Sequence, residues 1–170
     1  YSETGKNVLL VDCDLRKPRL HKVFNTSNLI GLTSVLASKS SLNDTVKPVK
    51  DGLSILTSGP IPPNPVELIR SNMMEQLINT LRDLFDVVIF DTPPVGLVTD
   101  AAIISSKLDG VVLVVASGKS QIEATLRAKE NLQNVNANLL GAVVTMIPID
   151  TRGYQYYTYG EEEQTKKKRR

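Results

Sequence analysis

The chain has 170 residues, 41% of them hydrophobic and 22% charged, a composition typical of one soluble globular domain with a substantial core. Its formal net charge of +2 is too small to indicate nucleic-acid binding, and a single cysteine, Cys13, excludes an internal disulfide and favours a reducing compartment. Because no apolar run approaches the roughly 18 residues that cross a bilayer, we expect a cytoplasmic protein.

The order of apolar segments along the chain predicts an α/β fold. The chain begins with Tyr1 rather than Met, and Gly5 suits the left-handed position that ends a helix, so we expect the N-terminal part of the domain to be missing. Strands are predicted at 7–12, 53–57, 87–91, 111–116 and 139–145. Segments with helical periodicity alternate with them, at 20–24, 32–37, 65–84, 101–107 and 121–131. Such alternation is typical of a parallel sheet with flanking helices.

The longest predicted helix covers residues 65–84. Asn64 is a good N-cap, Pro65 fits the first helical position, and Glu67 completes a capping box. Its predicted apolar face consists of Leu68, Met73, Leu77, Ile78, Leu81 and Leu84. The preceding segment, 57–65, contains four prolines and predicts a stiff loop at the carboxyl edge of the sheet.

Carboxylates follow two of the predicted strands directly. Asp12 and Asp14 come after the first strand, and Asp91 ends the third. Runs of aliphatic residues suit parallel strands buried on both faces, and ligands bind beyond the carboxyl ends of such strands. Three acids there indicate a hard cation with bridging phosphates, and Arg16 is placed to meet phosphate or to pair with these acids. The alternative is that each Asp only forms a turn or caps a helix.

Residues 151–170 contain almost no aliphatic side chains, and this tail is predicted to be disordered. It carries four tyrosines within six positions, which are either phosphorylation sites or a disordered contact segment: Tyr154, Tyr156, Tyr157 and Tyr159. The five cations at 166–170 either approach an anionic membrane leaflet or form a solvated end.

Together these segments resemble the bacterial tyrosine kinases (BY-kinases), whose catalytic domain has a P-loop ATPase fold related to cell-division and partitioning ATPases. Residues 5–18 resemble the family's Walker A′ segment, and residues 85–94 its Walker B segment. Residues 59–68 are similar to its proline-rich segment, and the terminal tyrosines resemble its autophosphorylation cluster. The resemblance implies an ATP- and Mg²⁺-dependent autokinase that regulates capsular or exopolysaccharide synthesis.

Site residues follow from the resemblance position by position. It implies that Asp12, Asp14 and Asp91 are the catalytic acids, with Asp14 and Asp91 on magnesium and either Asp12 or Asp14 as the base. Arg16 and Thr145 would contact the nucleotide, although the family more often has Asn than Thr at the latter position, beside the adenine. The tail tyrosines would be phosphorylated in trans within a homo-oligomer.

The resemblance also implies domain boundaries, partners and a location. Residues 1–150 would form the nucleotide-binding domain and 151–170 the tail. A membrane-bound activator or polysaccharide co-polymerase would hold the kinase at the inner face of the membrane, a cognate tyrosine phosphatase would reverse the reaction, and nucleic acid is not expected.

The Glu/Arg helix that the family uses for oligomer contacts has no counterpart in the 170 residues, and neither has the Gly-x-x-x-x-Gly-Lys-Ser/Thr phosphate loop. In the family it precedes the matched segment, and its strand is central, so its loss would leave unpaired backbone and exposed apolar side chains. This chain alone is therefore predicted to be inactive. The alternatives are a non-catalytic scaffold or decayed fragment, and a partitioning-type ATPase.

Overall fold

A computed structural model describes residues 1–148, in which a short 3₁₀ helix (Ser2–Thr4) is followed by six strands and seven α-helices. The strands are β1 (Val8–Asp12), β2 (Val46–Lys50), β3 (Leu53–Leu56), β4 (Val87–Asp91), β5 (Val111–Ala116) and β6 (Leu139–Thr145). The helices are α1 (Leu20–Val23), α2 (Leu32–Leu36), α3 (Leu42–Thr45), α4 (Pro65–Arg70), α5 (Asn72–Leu84), α6 (Asp100–Ser105) and α7 (Ile122–Asn134). The predicted tail and its four tyrosines lie outside the described residues.

The larger sheet has the strand order β2-β3-β1-β4. β1 pairs in parallel with both β3 and β4, so the predicted α/β arrangement is confirmed. β2, which was not predicted, pairs antiparallel with β3 at the edge of the sheet. It contains Pro48, a residue that an edge strand tolerates because one side of its backbone needs no partner.

β5 and β6 form a separate two-stranded parallel sheet, whereas the sequence predicted one sheet for all strands. The unpaired edges of β4 and β5 line opposite sides of a cavity of about 1240 Å³. Side chains beside this gap are exposed, including Ile89 at 44% and Val114 at 64%. Burial on both faces is therefore confirmed for β1 and wrong for β4, because among the described residues no neighbouring strand covers the edge of β4 that faces β5.

The predicted helix at 65–84 consists of two helices, because Ser71 has an extended backbone between α4 and α5. Its hydroxyl donates to the carbonyl of Leu68 at 2.7 Å and accepts from the backbone nitrogen of Met74 at 3.2 Å. Ser71 thus ends one helix and caps the next. Pro65 begins α4 as predicted, but Asn64 makes no side-chain capping bond.

The core lies between the larger sheet and helices α2, α4, α5 and α6. α5 contributes Met74 rather than the predicted Met73, which is partly exposed, and α6 contributes Ile104. The fully or nearly fully buried cluster is Leu9, Val11, Cys13, Leu15, Leu32, Leu36, Leu56, Ile69, Met74, Leu77, Ile78, Leu81 and Ile104. None of the helices within 1–148 is both long and apolar enough to cross a bilayer.

Candidate active site

The carboxyl ends of β1 and β4 bring the predicted acids together. Asp12 and Asp91 are register partners on these adjacent parallel strands, which lie about 4.8 Å apart in any sheet. One residue beyond, the backbone nitrogen of Cys13 donates to the carbonyl oxygen of Asp91 at 2.7 Å. The strand pairing ends there, so it sets Asp12 beside Asp91 but does not reach Asp14.

Asp12 is completely buried, and both of its carboxylate oxygens accept backbone hydrogen bonds. Oδ1 accepts from the nitrogen of Asp14 at 3.2 Å, and Oδ2 accepts from Arg19 and Leu20 at 3.1 and 3.0 Å. Burial raises the pKa of Asp12, while these N–H groups act in the opposite direction. The side chain therefore holds the loop between β1 and α1 in place.

Asp14 lies beyond the end of β1 and is only partly buried. Its Oδ1 accepts from the backbone nitrogens of Arg16 and Lys17 at 3.1 and 2.9 Å. Within the described residues its Oδ2 accepts no hydrogen bond. One oxygen of Asp14 thus fixes the turn, and the other is available to a ligand.

Asp91 ends β4 at the rim of the cavity between the two sheets. Although the residue as a whole is exposed, partial desolvation raises the pKa of its carboxyl group, and the charges of Asp12 and Asp14 raise it further. Its side chain makes no hydrogen bond within the described part of the chain. A cation bound here would offset the mutual repulsion of the carboxylates.

Arg16 pairs with none of the three predicted acids. Its Nε and Nη2 donate to Oδ2 and Oδ1 of Asp100 at 2.8 and 3.0 Å. Asp100 is the first residue of α6 and is completely buried, whereas the Arg16 side chain is 40% exposed. Sequence reasoning missed Asp100, because an acid at the start of a helix is an ordinary feature of helix termini. The predicted contact of Arg16 with a nucleotide stays a prediction.

The second sheet brings another predicted residue to its own carboxyl edge. Thr145 ends β6, pairs with Ala116 at the end of β5, and accepts a backbone bond from Ser117 at 2.8 Å. Its predicted contact with a nucleotide base is not tested by these bonds.

The tripeptide 118–120, Gly-Lys-Ser, follows β5 and ends like a phosphate loop. However, Leu113 stands where that motif requires its first glycine. The backbone nitrogen and side-chain oxygen of Ser120 both bond to Ala116, at 2.9 and 3.0 Å, so this segment forms a turn rather than a phosphate cradle.

The proline-rich segment leaves β3 at the same edge of the sheet as the carboxylates, as predicted. Leu32 and Thr33 donate backbone bonds to Thr57 and Ser58 at 2.8 and 2.9 Å. A side chain at Gly31 would overlap the backbone of the facing segment, so only glycine fits this close approach.

The donor set fits magnesium bound mainly by phosphates and water. Within residues 1–148 no group of three or more His, Cys, Asp and Glu side chains is arranged to hold a metal ion alone. The free oxygen of Asp14 and the carboxylate of Asp91 offer one or two oxygen ligands. Mg²⁺ is commonly held in this way, by one or two carboxylates with substrate phosphates and waters.

Comparisons with known proteins identify relatives of this chain in sequence and in structure. No family model matches the chain. It is 45% identical over 159 residues to the tyrosine-protein kinase YwqD of Bacillus subtilis, covering 92% of this chain and 67% of YwqD. The fold matches a crystal structure of the chimerical protein CapA2B2 with a TM-score of 0.84 and 42% identity, over 87% of this chain and 66% of the other.

A more distant structural match is the septum site-determining protein MinD of Pyrococcus horikoshii, solved in complex with Mg-ADP. Its TM-score is 0.68 at 25% identity, over 84% of this chain and 59% of that chain. The chain thus spans 67% of YwqD, 66% of CapA2B2 and 59% of the MinD chain.

Proposed function

The chain belongs to the bacterial tyrosine kinases, and from that premise we propose that it forms most of the catalytic domain of a protein-tyrosine autokinase. Residues 1–150 form the nucleotide-binding domain, and the γ-phosphoryl group of Mg-ATP is transferred to tyrosines of the 151–170 tail. The observation that carries this proposal is the pair Asp14 and Asp91. Asp91 ends β4, and Asp14 lies two residues beyond the end of the adjacent parallel strand β1; each has a carboxylate oxygen without a hydrogen bond within residues 1–148.

The hydrogen bonds of the three acids support a different role for each of them. Because both oxygens of Asp12 are committed to backbone N–H groups, Asp12 shapes the loop. The free oxygen of Asp14 accepts the proton of the attacking tyrosine hydroxyl and would also hold magnesium through a bound water, and Asp91 would hold magnesium directly or through water. Bound magnesium would neutralise charge on the phosphates. As the tyrosine oxygen bonds to the γ-phosphorus, the bond from that phosphorus to the leaving ADP oxygen breaks.

The gap between β4 and β5 supports the proposal that a further strand lies between them. Within the described residues neither edge has a strand partner, and apolar side chains such as Ile89 and Val112 lie exposed beside them. A parallel strand there would join the two sheets and would end next to Asp91. We place the strand that leads into the phosphate loop in this gap.

The partners and location remain those that the family implies. A membrane-bound activator or polysaccharide co-polymerase recruits the kinase to the inner face of the membrane, and subunits phosphorylate one another within a homo-oligomer. A cognate tyrosine phosphatase removes the phosphate, and the process regulates capsular or exopolysaccharide synthesis. The family membership of the chain supports these statements.

The test is phosphotyrosine formation by the full-length kinase with Mg-ATP. Asp14→Asn should lower tail phosphorylation by about 100-fold or more, the scale of a lost acid–base group. Asp91→Asn should also lower it, because one of the few carboxylates that hold magnesium is lost. Asp86→Asn is the matched control, because Asp86 lies next to the other end of β4 and its one bond, from the nitrogen of Asn7 at 2.8 Å, is one that Asn can also accept. Wild-type phosphorylation in Asp91→Asn would remove Asp91 from the mechanism.

A second test concerns the phosphate site. Isothermal titration of the 170-residue chain with Mg-ATP should show no micromolar binding, because the chain contains no phosphate-loop motif. Micromolar affinity would show that the site needs no further segment. Phosphosite mass spectrometry of the natural protein distinguishes a kinase from a non-catalytic scaffold. If the protein is a scaffold, we expect no phosphate on the tail tyrosines, Tyr154, Tyr156, Tyr157 and Tyr159.

A further inference from the structure

We propose that Asp100 is a positioning residue that holds Asp14 in place through Arg16, an inference that rests on the role of Asp14 in the proposed function. Asp100 is completely buried, and each of its oxygens accepts one nitrogen of the Arg16 guanidinium, at 2.8 and 3.0 Å. A paired, bidentate contact of this kind restrains both the distance and the orientation of the two groups. It is the one ion pair with a fully buried carboxylate within residues 1–148.

The pair connects two segments that the sheet leaves unconnected. Pairing between β1 and β4 ends at the bond from Cys13 to Asp91, one residue before Asp14. Beyond that point, the loop after β1 and the segment after β4 have no strand pairing to align them. The contact between Arg16 and Asp100 bridges them again, because Asp100 begins the helix that follows the β4 loop.

Arg16 transmits this restraint to Asp14 through its backbone. Its guanidinium is held by Asp100, and its own N–H donates to Oδ1 of Asp14 at 3.1 Å. The neighbouring N–H of Lys17 donates to the same oxygen at 2.9 Å. Such a turn on a partly exposed loop is weak by itself. Its anchor in the buried carboxylate therefore determines where the free oxygen of Asp14 points.

The first measurement is fast amide exchange by NMR on the full 170-residue chain. In Asp100→Asn, the amides of Arg16 and Lys17 should exchange about ten-fold faster than in wild type. The amides of Arg19 and Leu20 should keep their exchange rates, because they bond to Asp12 instead. Glu75→Gln is the matched control, since it removes one carboxylate of an exposed ion pair at 2.9 Å from Lys107.

The second measurement is Mn²⁺ binding by the full-length kinase in the presence of ADP, whose phosphates supply further oxygen ligands, followed by the electron paramagnetic resonance of free Mn²⁺. Asp100→Asn should weaken Mn²⁺ binding by about ten-fold or more, the usual effect of removing a group that orients a metal ligand. Arg16→Lys keeps the charge and loses the paired geometry, so it should show a smaller loss of the same kind. It also provides a folded variant if Asp100→Asn unfolds the chain.

The outcomes separate this inference from the proposed function. Unchanged exchange at Arg16 and Lys17 in folded Asp100→Asn and Arg16→Lys would overturn the positioning role. Mn²⁺ affinity equal to wild type in both variants would overturn it as well. A wild-type full-length kinase that binds no Mn²⁺ in the presence of ADP would count against the proposed metal site, and the exchange rates would still decide whether Asp100 holds Asp14.

Discussion

Replacing Asp91 by Asn should stabilise the folded chain at neutral pH. Burial of part of the carboxyl and the charges of Asp12 and Asp14 raise the pKa of Asp91 above its ordinary value of 3.8. A group whose pKa is higher in the folded chain stabilises the fold when protonated, and this contribution is lost as the pH rises through the folded pKa. Asn removes the charge and keeps the shape.

The expected gain is modest because Asp91 is exposed. Cross-strand side-chain pairs change the free energy of unfolding by about 0.2–1 kcal/mol, and like charges lower it, so Asp91→Asn should raise the free energy of unfolding by an amount of that order. For a chain of this size, that corresponds to a rise in Tm of up to about 4 °C. The gain should shrink as the pH falls towards 3.8 and below, and also in 1 M salt, which screens the repulsion.

Urea denaturation followed by circular dichroism at pH 7 and at pH 3.5 measures both effects. Asp86→Asn serves as the control, since Asp86 accepts a hydrogen bond that Asn can replace, and it should show no gain at pH 7. If Asp91→Asn were less stable than wild type at pH 7, or equally stabilised at both pH values, the carboxylate repulsion at this edge would be refuted.

Three further substitutions test the packing around the site by urea denaturation. Gly31→Ala should lower the free energy of unfolding by about 1–3 kcal/mol, because the new methyl overlaps the backbone of the facing loop. Gly96→Ala is the control, since a methyl there meets open space and should change the free energy of unfolding little. Equal effects of the two substitutions would contradict the close approach at Gly31. Leu81→Ala should lower the free energy of unfolding by about 2–5 kcal/mol, because Leu81 is fully buried, whereas Leu84→Ala at an exposed position should lower it by less than about 1 kcal/mol. A small loss of stability in Leu81→Ala would show that Leu81 lies outside the core. Ser71→Ala should cost about 1 kcal/mol by removing the cap between α4 and α5, and no loss would mean that the cap is energetically neutral.

Local sequence alone predicted most of the elements and the position of the carboxylates. An apolar run followed by Asp predicts a buried parallel strand and a polar group at its end, because both follow from neighbouring residues. The break at Ser71 was missed because a helical apolar pattern continues across it. The strand with Pro48 was missed because its stability comes from pairing with β3, which neighbouring residues do not reveal.

What the sequence determined by itself is the set of chemical groups: parallel strands that end in acids, a proline-rich loop beside them, and a tyrosine-rich tail. Only the tertiary structure decided which partner each of those groups contacts. Asp12 accepts hydrogen bonds from backbone N–H groups, and Arg16 contacts Asp100 across 84 residues of chain. Among residues 1–148, nothing donates to the carboxylate of Asp91 or to the second oxygen of Asp14. Which partner a side chain meets depends on segments far apart in sequence, and burial then sets how strongly the two groups interact.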